Sequence, residues 1–306
     1  MTSRTYHMRL VQLVDTRAYA QSNCWQHQLL SCLRSQCDDH LIIEANSLSQ
    51  HNFVMPKADV YLSTLKLRTL NRTRERIQRC LNDRLLYVYD QDPWENFIDQ
   101  GSCHGTYEWF RENVNVGSFI LTSRWWTDYV ASLGFKTTFT QMWLDSSLCD
   151  YGITWQSRPV TVGFMGTLHP YRKRSIEELQ KMNVEVKVFS SKGYGDYLKT
   201  VSQMKFFFHE EAQSSWTIRG VPVGQNALWA KEIEIAAQGC FPLRQYEPEA
   251  EAYFASQIPG IKTFQSINDV PGIIQQALND PLANERSRAS VDFIKSHRGW
   301  FSLSDL

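Results

Sequence analysis

At 306 residues the chain is long enough for two domains of about 150 residues each, and 42% hydrophobic content supplies a core to both. Thirty-two basic residues balance thirty-two acidic ones, which argues against a dedicated nucleic-acid binder while leaving room for a local basic patch. Seven cysteines without a C-x-x-C pair argue against a zinc site or a disulfide framework and fit a reduced, cytoplasmic setting. Met1 to Leu13 lacks the apolar core of a signal peptide, and no apolar run approaches the roughly 18 residues of a membrane span.

The first half alternates strand and helix signals. Met8–Val14 is an apolar run ending in Asp15, and a helix follows to Arg34. Strands are expected at 40–45, 58–62, 84–89 and 118–122, with a basic amphipathic helix over 66–82. Ser123 caps a helix that Gly134 stops, and a short strand lies within 136–141. The stretch 145–159 reads as a linker. The pattern then restarts with a strand at 160–165, a loop, a helix at 171–182, a strand at 184–189, a helix at 193–201 and a strand at 204–209. A loop over 210–225, a helix from Asn226 to Gly239, a strand at 240–243, an acidic helix near 247–256 and terminal helices from Val270 complete the chain. Such alternation predicts α/β domains with parallel sheets covered on both faces, whose ligands collect at the carboxyl ends of the strands.

The helix that starts at Asn226 carries the chemistry. Its N-terminus offers unpaired N–H groups to phosphate. Glu234, two turns on and beside small residues, is placed to accept both hydroxyls of a ribose. A plain buried helix with one acid is the competing explanation. Upstream, Gly163-Phe-Met-Gly166 ends a strand where a ligand can approach the backbone. Arg172-Lys173-Arg174 then opens a helix whose cations can neutralise a diphosphate leaving group, although three basic residues also make an ordinary solvated face.

This order of parts resembles the C-terminal domain of GT-B glycosyltransferases, with Glu234-Ile-Ala-Ala-Gln-Gly239 as the glutamate motif of the group-1 and CgeB-like families. Phe119 to Thr137 is similar to the last strand–helix unit of the family's acceptor domain, and Tyr87 to Trp94 to the loop before it. Asn226 stands where paired-glutamate members carry an earlier acid, and Lys231, three before Glu234, follows the CgeB-like pattern. The resemblance implies two Rossmann-like domains facing a central cleft: an acceptor domain over 1–150, a nucleotide-sugar domain over 151–284, and helices over 285–306 packing back on the first. It implies that Glu234 binds the ribose. Arg172, Lys173, the backbone at Gly166 and the N–H groups after Asn226 would hold the diphosphate, with Lys231 as a further phosphate ligand. Phe189 and Ser190 would lie against the base, and His209 and Glu210 would face the donor sugar. His209 as a satisfied core histidine is an equal alternative.

An inverting transfer needs a general base near the acceptor hydroxyl. Asp92 is the first candidate, in a loop stiffened by Pro93 with Trp94 beside it to stack on a sugar acceptor. Asp15 is the second, and Asp90 and Glu95 lie near. No Asp-x-Asp motif points to a metal, and the resemblance implies metal-independent chemistry without a cofactor, the nucleotide sugar being substrate. The Lys66–Arg79 face is either a solvated helix surface or a contact for an anionic acceptor, DNA or a membrane surface. The expected function is transfer of a sugar from a nucleotide diphosphate to a saccharide or other hydroxyl acceptor. A glycosyltransferase acting on modified bases in DNA, a non-catalytic nucleotide-sugar-binding module and an epimerase are the alternatives. Base, sugar, stereochemistry and oligomeric state stay open.

Overall fold

The computed structural model describes residues 7–17, 24–141, 144–190, 193–209, 217–222, 230–246, 257–296, 302–303 and 306. The chain divides into two compact units. Unit 1 comprises Met1–Gln141, Ser215–Gln225 and Trp300–Leu306, and unit 2 comprises Met142–Ser214 and Asn226–Gly299.

Unit 1 is built, in chain order, from β1 (Arg9–Val14), α1 (Cys24–Arg34), β2 (Asp39–Glu44), β3 (Val60–Ser63), α2 (Leu67–Leu81), β4 (Leu86–Asp90), α3 (Thr106–Asn113), β5 (Val116–Leu121), α4 (Arg124–Ser132) and β6 (Thr137–Phe139). The strands form one parallel sheet in the order β2-β1-β3-β4-β5-β6. Its strands are apolar on both sides because both sides are covered. On β4, Leu86 and Val88 join the cluster that holds Leu70, Tyr107, Phe110 and Trp126. Tyr87 and Tyr89 join the opposite cluster with Leu29, Leu33 and Leu303. This is the two-residue alternation of a strand read on its two faces. Helix α2 buries Leu67, Leu70, Thr73, Ile77 and Leu81, a helical spacing that turns one stripe to the core.

Unit 2 carries β7 (Val160–Met165), α5 (Pro170–Lys181), β8 (Val186–Phe189), α6 (Tyr194–Val201) and β9 (Met204–His209). The next described segment, β10 (Thr217–Ile218) and β11 (Val221–Pro222), is an antiparallel hairpin counted with unit 1. The chain then continues in unit 2 with α7 (Ala230–Ala237), β12 (Phe241–Gln245), β13 (Lys262–Phe264), α8 (Val270–Leu278) and α9 (Ala283–Ser296). The second sheet is also parallel, in the order β13-β12-β9-β7-β8. Read from β8, this repeats the winding of unit 1: the first strand sits between the second and third. Each sheet therefore has a switch point, between β1 and β3 and between β7 and β9, where connections leave in opposite directions.

Three segments depart from the sequence reading. The stretch expected to be a linker packs on unit 2. Trp155 is fully buried against Phe206 and Phe241 and donates its indole N–H to Lys205 O at 3.0 Å. Arg158 donates to Met204 O and Gln238 O. The expected loop over 210–225 contains the hairpin, whose central Arg219 and Gly220 both have positive φ, 50° and 81°, as a tight two-residue turn requires. Arg219 Nη1 donates to Asp99 O at 2.6 Å. The terminal segment expected over 285–306 on the first domain is divided. Helix α9 stays in unit 2, with Ser287 Oγ donating to Gly239 O and Ser290 Oγ accepting from Gly260 N. Leu303 and Leu306 pack in unit 1, where the Tyr87 hydroxyl donates to Leu306 O. The acidic helix expected near 247–256 lies outside the described residues.

Helices α4 and α7 end alike. Gly134 N donates to Ala131 O and Phe135 N to Val130 O, and Gly239 N donates to Ala236 O and Cys240 N to Ile235 O. Both glycines hold the left-handed conformation, φ 83° and 65°, that this paired cap needs. They differ in surroundings. A Cβ on Gly134 meets nothing within 4 Å, whereas one on Gly239 would lie 2.7 Å from Ser287 Oγ and 2.8 Å from Arg158 Nη2. Gly134→Ala should therefore cost about 1 kcal/mol of stability, the left-handed penalty alone. Gly239→Ala should cost about 2–3 kcal/mol because overpacking is added. Urea unfolding of the two variants checks the order.

Candidate functional site

In unit 1 the carboxyl ends of β3 and β4 enclose a cavity of about 280 Å³ lined by Leu65 to Thr69, Tyr89 to Asp92, and Glu95. Asp90, the last residue of β4, is 6% exposed. It accepts from the Tyr107 hydroxyl at 2.8 Å and from Asp92 N at 2.9 Å. Burial, then the neighbouring Asp92 carboxylate, push its pKa up to about 7, against the lowering effect of those two hydrogen bonds. A carboxylate with that value exchanges protons near neutral pH, the condition a general base needs.

The expected candidates fall around it. Asp92 is exposed at the cavity wall and precedes the short turn Pro93–Phe97. Asp15 accepts from Lys66 N at 3.0 Å and from the Thr69 hydroxyl. It thus ties the start of α2 to a neighbouring strand through one N–H and one hydroxyl, a structural task for an acid there. Trp94 packs against the unit 1 core and is not among the cavity's lining residues.

In unit 2, β7 ends at Gly166, with φ 148°. A Cβ placed there would lie 3.2 Å from Lys231 Nζ. Lys231 and Glu234 are three residues apart on α7 and so share a face. Glu234 is 1% exposed and accepts from the Tyr194 hydroxyl at 2.8 Å. Tyr194 opens α6, just after β8. Helix α7 thus presents a cation to the end of β7 and an acid to the start of α6. Gly163, the other glycine of that motif, is explained by packing: its Cβ would fall 2.2 Å from Met204 Sδ.

The remaining donor-side candidates separate. Arg172 is 8% exposed, donates from Nη1 to Thr167 O at 3.0 Å and lies over the rings of Phe164 and Tyr171. It braces the loop between Gly166 and α5. Lys173 is exposed and lies 3.9 Å from Glu177 one turn on, a solvated pair of small energetic consequence. Phe189 is half-buried under Lys187 Nζ, and Ser190 is exposed. Asn226 and Glu210 lie outside the described residues.

His209 is the satisfied core histidine. It is 1% exposed, with Nδ1 3.1 Å from Glu232 Oε1, and the same oxygen accepts from Arg244 Nε at 2.8 Å. His209 and Arg244 are paired neighbours on β9 and β12, so Glu232 ties α7 to the carboxyl ends of two strands. A wider groove of about 590 Å³, lined by Pro159 to Val162 and Pro271 among others, lies at the amino ends of β7 and β8. None of the donor-side candidates lines it.

Tyr194, Glu232 and Arg244 were not selected from sequence, and Asp90 was named only as a neighbour of Asp92. Asp90 closes an apolar strand and Arg244 interrupts one, and such placements signal a buried charge that needs a partner. Glu232→Ala should destabilise unit 2 by about 3–5 kcal/mol, since it removes the carboxylate from a buried guanidinium. Glu232→Gln, which keeps an acceptor, should cost less. Thermal unfolding of the pair checks this.

Among the described residues no helix is long and apolar enough to cross a membrane. No family model and no curated protein sequence matches the chain. Solved structures do. An α-glucosyltransferase in complex with UDP-glucose and DNA containing an abasic site is similar with a TM-score of 0.64 and 12% identity, over 97% of this chain and 98% of that one. HepE of Anabaena, in complex with UDP and glucose, gives 0.64 and 12%, over 96% of each. WaaG, a glycosyltransferase involved in lipopolysaccharide biosynthesis, gives 0.56 and 9%, over 97% and 98%. The chain has the GT-B fold of these glycosyltransferases.

Proposed function

We propose that the chain is a glycosyltransferase that moves a sugar from a nucleotide diphosphate to an acceptor hydroxyl, with the donor held by unit 2 and the acceptor by unit 1. The observation that carries this reading is the pairing on α7: Lys231 beside Gly166 at the end of β7, and Glu234 one turn on under Tyr194. A diphosphate at Gly166 would meet the Lys231 ammonium and the first N–H groups of α5, to which the N-cap residue His169 gives no side-chain bond. A ribose that displaces the Tyr194 hydroxyl finds Glu234 as acceptor for its own hydroxyls. Charge developing on the leaving diphosphate is offset by Lys231 and the helix end rather than by a metal. Lys231 three residues before Glu234 favours a CgeB-like enzyme over a paired-glutamate group-1 enzyme.

On the acceptor side Asp90 takes the place given to Asp92. It is the buried acid of the cavity, and Asp92 acts on it through charge. Deprotonated Asp90 removes the acceptor proton as the oxygen attacks the anomeric carbon, and the nucleotide diphosphate departs with the bonding electrons. Solved neighbours of the fold hold UDP-glucose or UDP, so a UDP-sugar is the first donor to try.

In thermal-shift measurements against UDP, GDP, CDP, ADP and dTDP sugars, a donor at about 100 times its Kd should stabilise the protein by about 2.7 kcal/mol. Glu234→Ala should abolish the shift, and a flat response to every donor would defeat the assignment. Because the base must be ionised, kcat/KM should rise with pH and level off above about 7. Asp90→Asn should lower it by about 10²–10⁴-fold and remove that ascending limb, while Asp92→Asn should keep the limb and move it to lower pH. A retaining course would leave the Asp90→Asn rate intact.

A further inference from the structure

Helix α2 holds five arginines, Arg68, Arg72, Arg74, Arg76 and Arg79, against one acid, Glu75, and no lysine. Arg74 lies over the Trp109 ring and bonds Asn71. The other four are exposed. Their spacing of four, four and three residues keeps them on one face, a stripe about 16 Å long. Among the described residues none of the four stands in an ion pair. Arg76 reaches the neutral Ser49 hydroxyl and Arg79 the Glu75 carbonyl. The stripe begins at the cavity that holds Asp90, for Arg68 is one of its lining residues.

We propose that this stripe is a binding surface for a phosphodiester backbone, so that the acceptor is a nucleic acid whose reacting hydroxyl enters the Asp90 cavity. The reacting half of this proposal rests on the glycosyl-transfer reading; the binding surface does not. Arginine, with its planar fork of donors, matches phosphate oxygens in pairs, whereas lysine does not. Four cations per about 16 Å face the several phosphates that a strand places in the same length. An anionic membrane fits less well. A helix lying on lipid needs an apolar face in contact with it, and here Leu67, Leu70, Ile77 and Leu81 are all buried in unit 1.

Fluorescence anisotropy of the full chain with labelled duplex DNA, single-stranded DNA and RNA tests this, with dextran sulfate and phosphatidylserine vesicles as competing polyanions. Four phosphate contacts predict a fall in affinity of about 100-fold between about 50 and 200 mM salt. Arg72→Gln with Arg79→Gln should reduce the slope of log K against log salt by about 2. The same double variant should keep the wild-type thermal shift with the nucleotide sugar. Which of the three nucleic acids binds most tightly identifies the form recognised. A salt slope unchanged in the double variant would overturn the proposal, and so would dextran sulfate or vesicles that bind while none of the nucleic acids does. If nucleic acid binds as predicted and no nucleotide sugar does, the surface stands and the transferase reading falls.

Discussion

Parallel strand pairing is the constraint on which the rest of this structure depends. A parallel sheet cannot return on itself through short turns, so every strand is followed by a crossover and both faces become covered. All carboxyl ends then lie on one edge. Where the winding reverses, two adjacent crossovers leave on opposite sides and open a crevice. Both units obey this with the same strand order. In unit 1 the crevice edge holds Asp15 after β1, the start of α2 after β3, and Asp90 at the end of β4. In unit 2 it holds Gly166 after β7 and His209 at the end of β9, with α7 reaching across to both. The polar groups are there because that edge is where backbone and side chains run out of apolar neighbours.

Three buried acids show how partners divide the work. Glu232 has a guanidinium and an imidazole on one oxygen, an arrangement that fixes it in place and ties α7 to β9 and β12. Glu234, two residues on, has a tyrosine hydroxyl, a neutral partner that a competing hydroxyl can replace at small cost. Asp90 has a tyrosine hydroxyl and one backbone N–H, with a second acid nearby. This last environment lets the proton move near neutral pH. On the proposed reading, partner chemistry as well as burial would distinguish these three acids.

Much of this was legible in the chain. The strand–helix order follows from the period of the apolar residues and from capping signals such as Ser123 and Gly134, which act locally. Gly166, Lys231 and Glu234 were selected because each lies in a motif with its own local geometry. What escaped detection depends on contacts distant in sequence. The hairpin at 217–222 has strands of two residues, too short for an alternation to register. The stretch read as a linker is held by Trp155 and Arg158 against residues 46 to 80 positions away. Asp15, chosen for its place at a strand end, also holds Lys66 and Thr69, more than 50 residues on, a tie that the sequence does not display.

The placement of Asp90 is itself informative, because it works against the fold. A carboxyl raised from 3.8 to about 7 in the native state binds its proton more tightly there than in the unfolded chain. Stability from this group is therefore fully present below the unfolded value and is lost progressively as pH rises from about 4 to about 7, where the native group finally ionises. Above that, the native state carries a buried charge whose cost the Tyr107 hydroxyl and the Asp92 N–H only partly offset. An asparagine would occupy the same space without that charge. A destabilised acid of this kind, at the wall of a cavity, is what the proposed proton transfer would require.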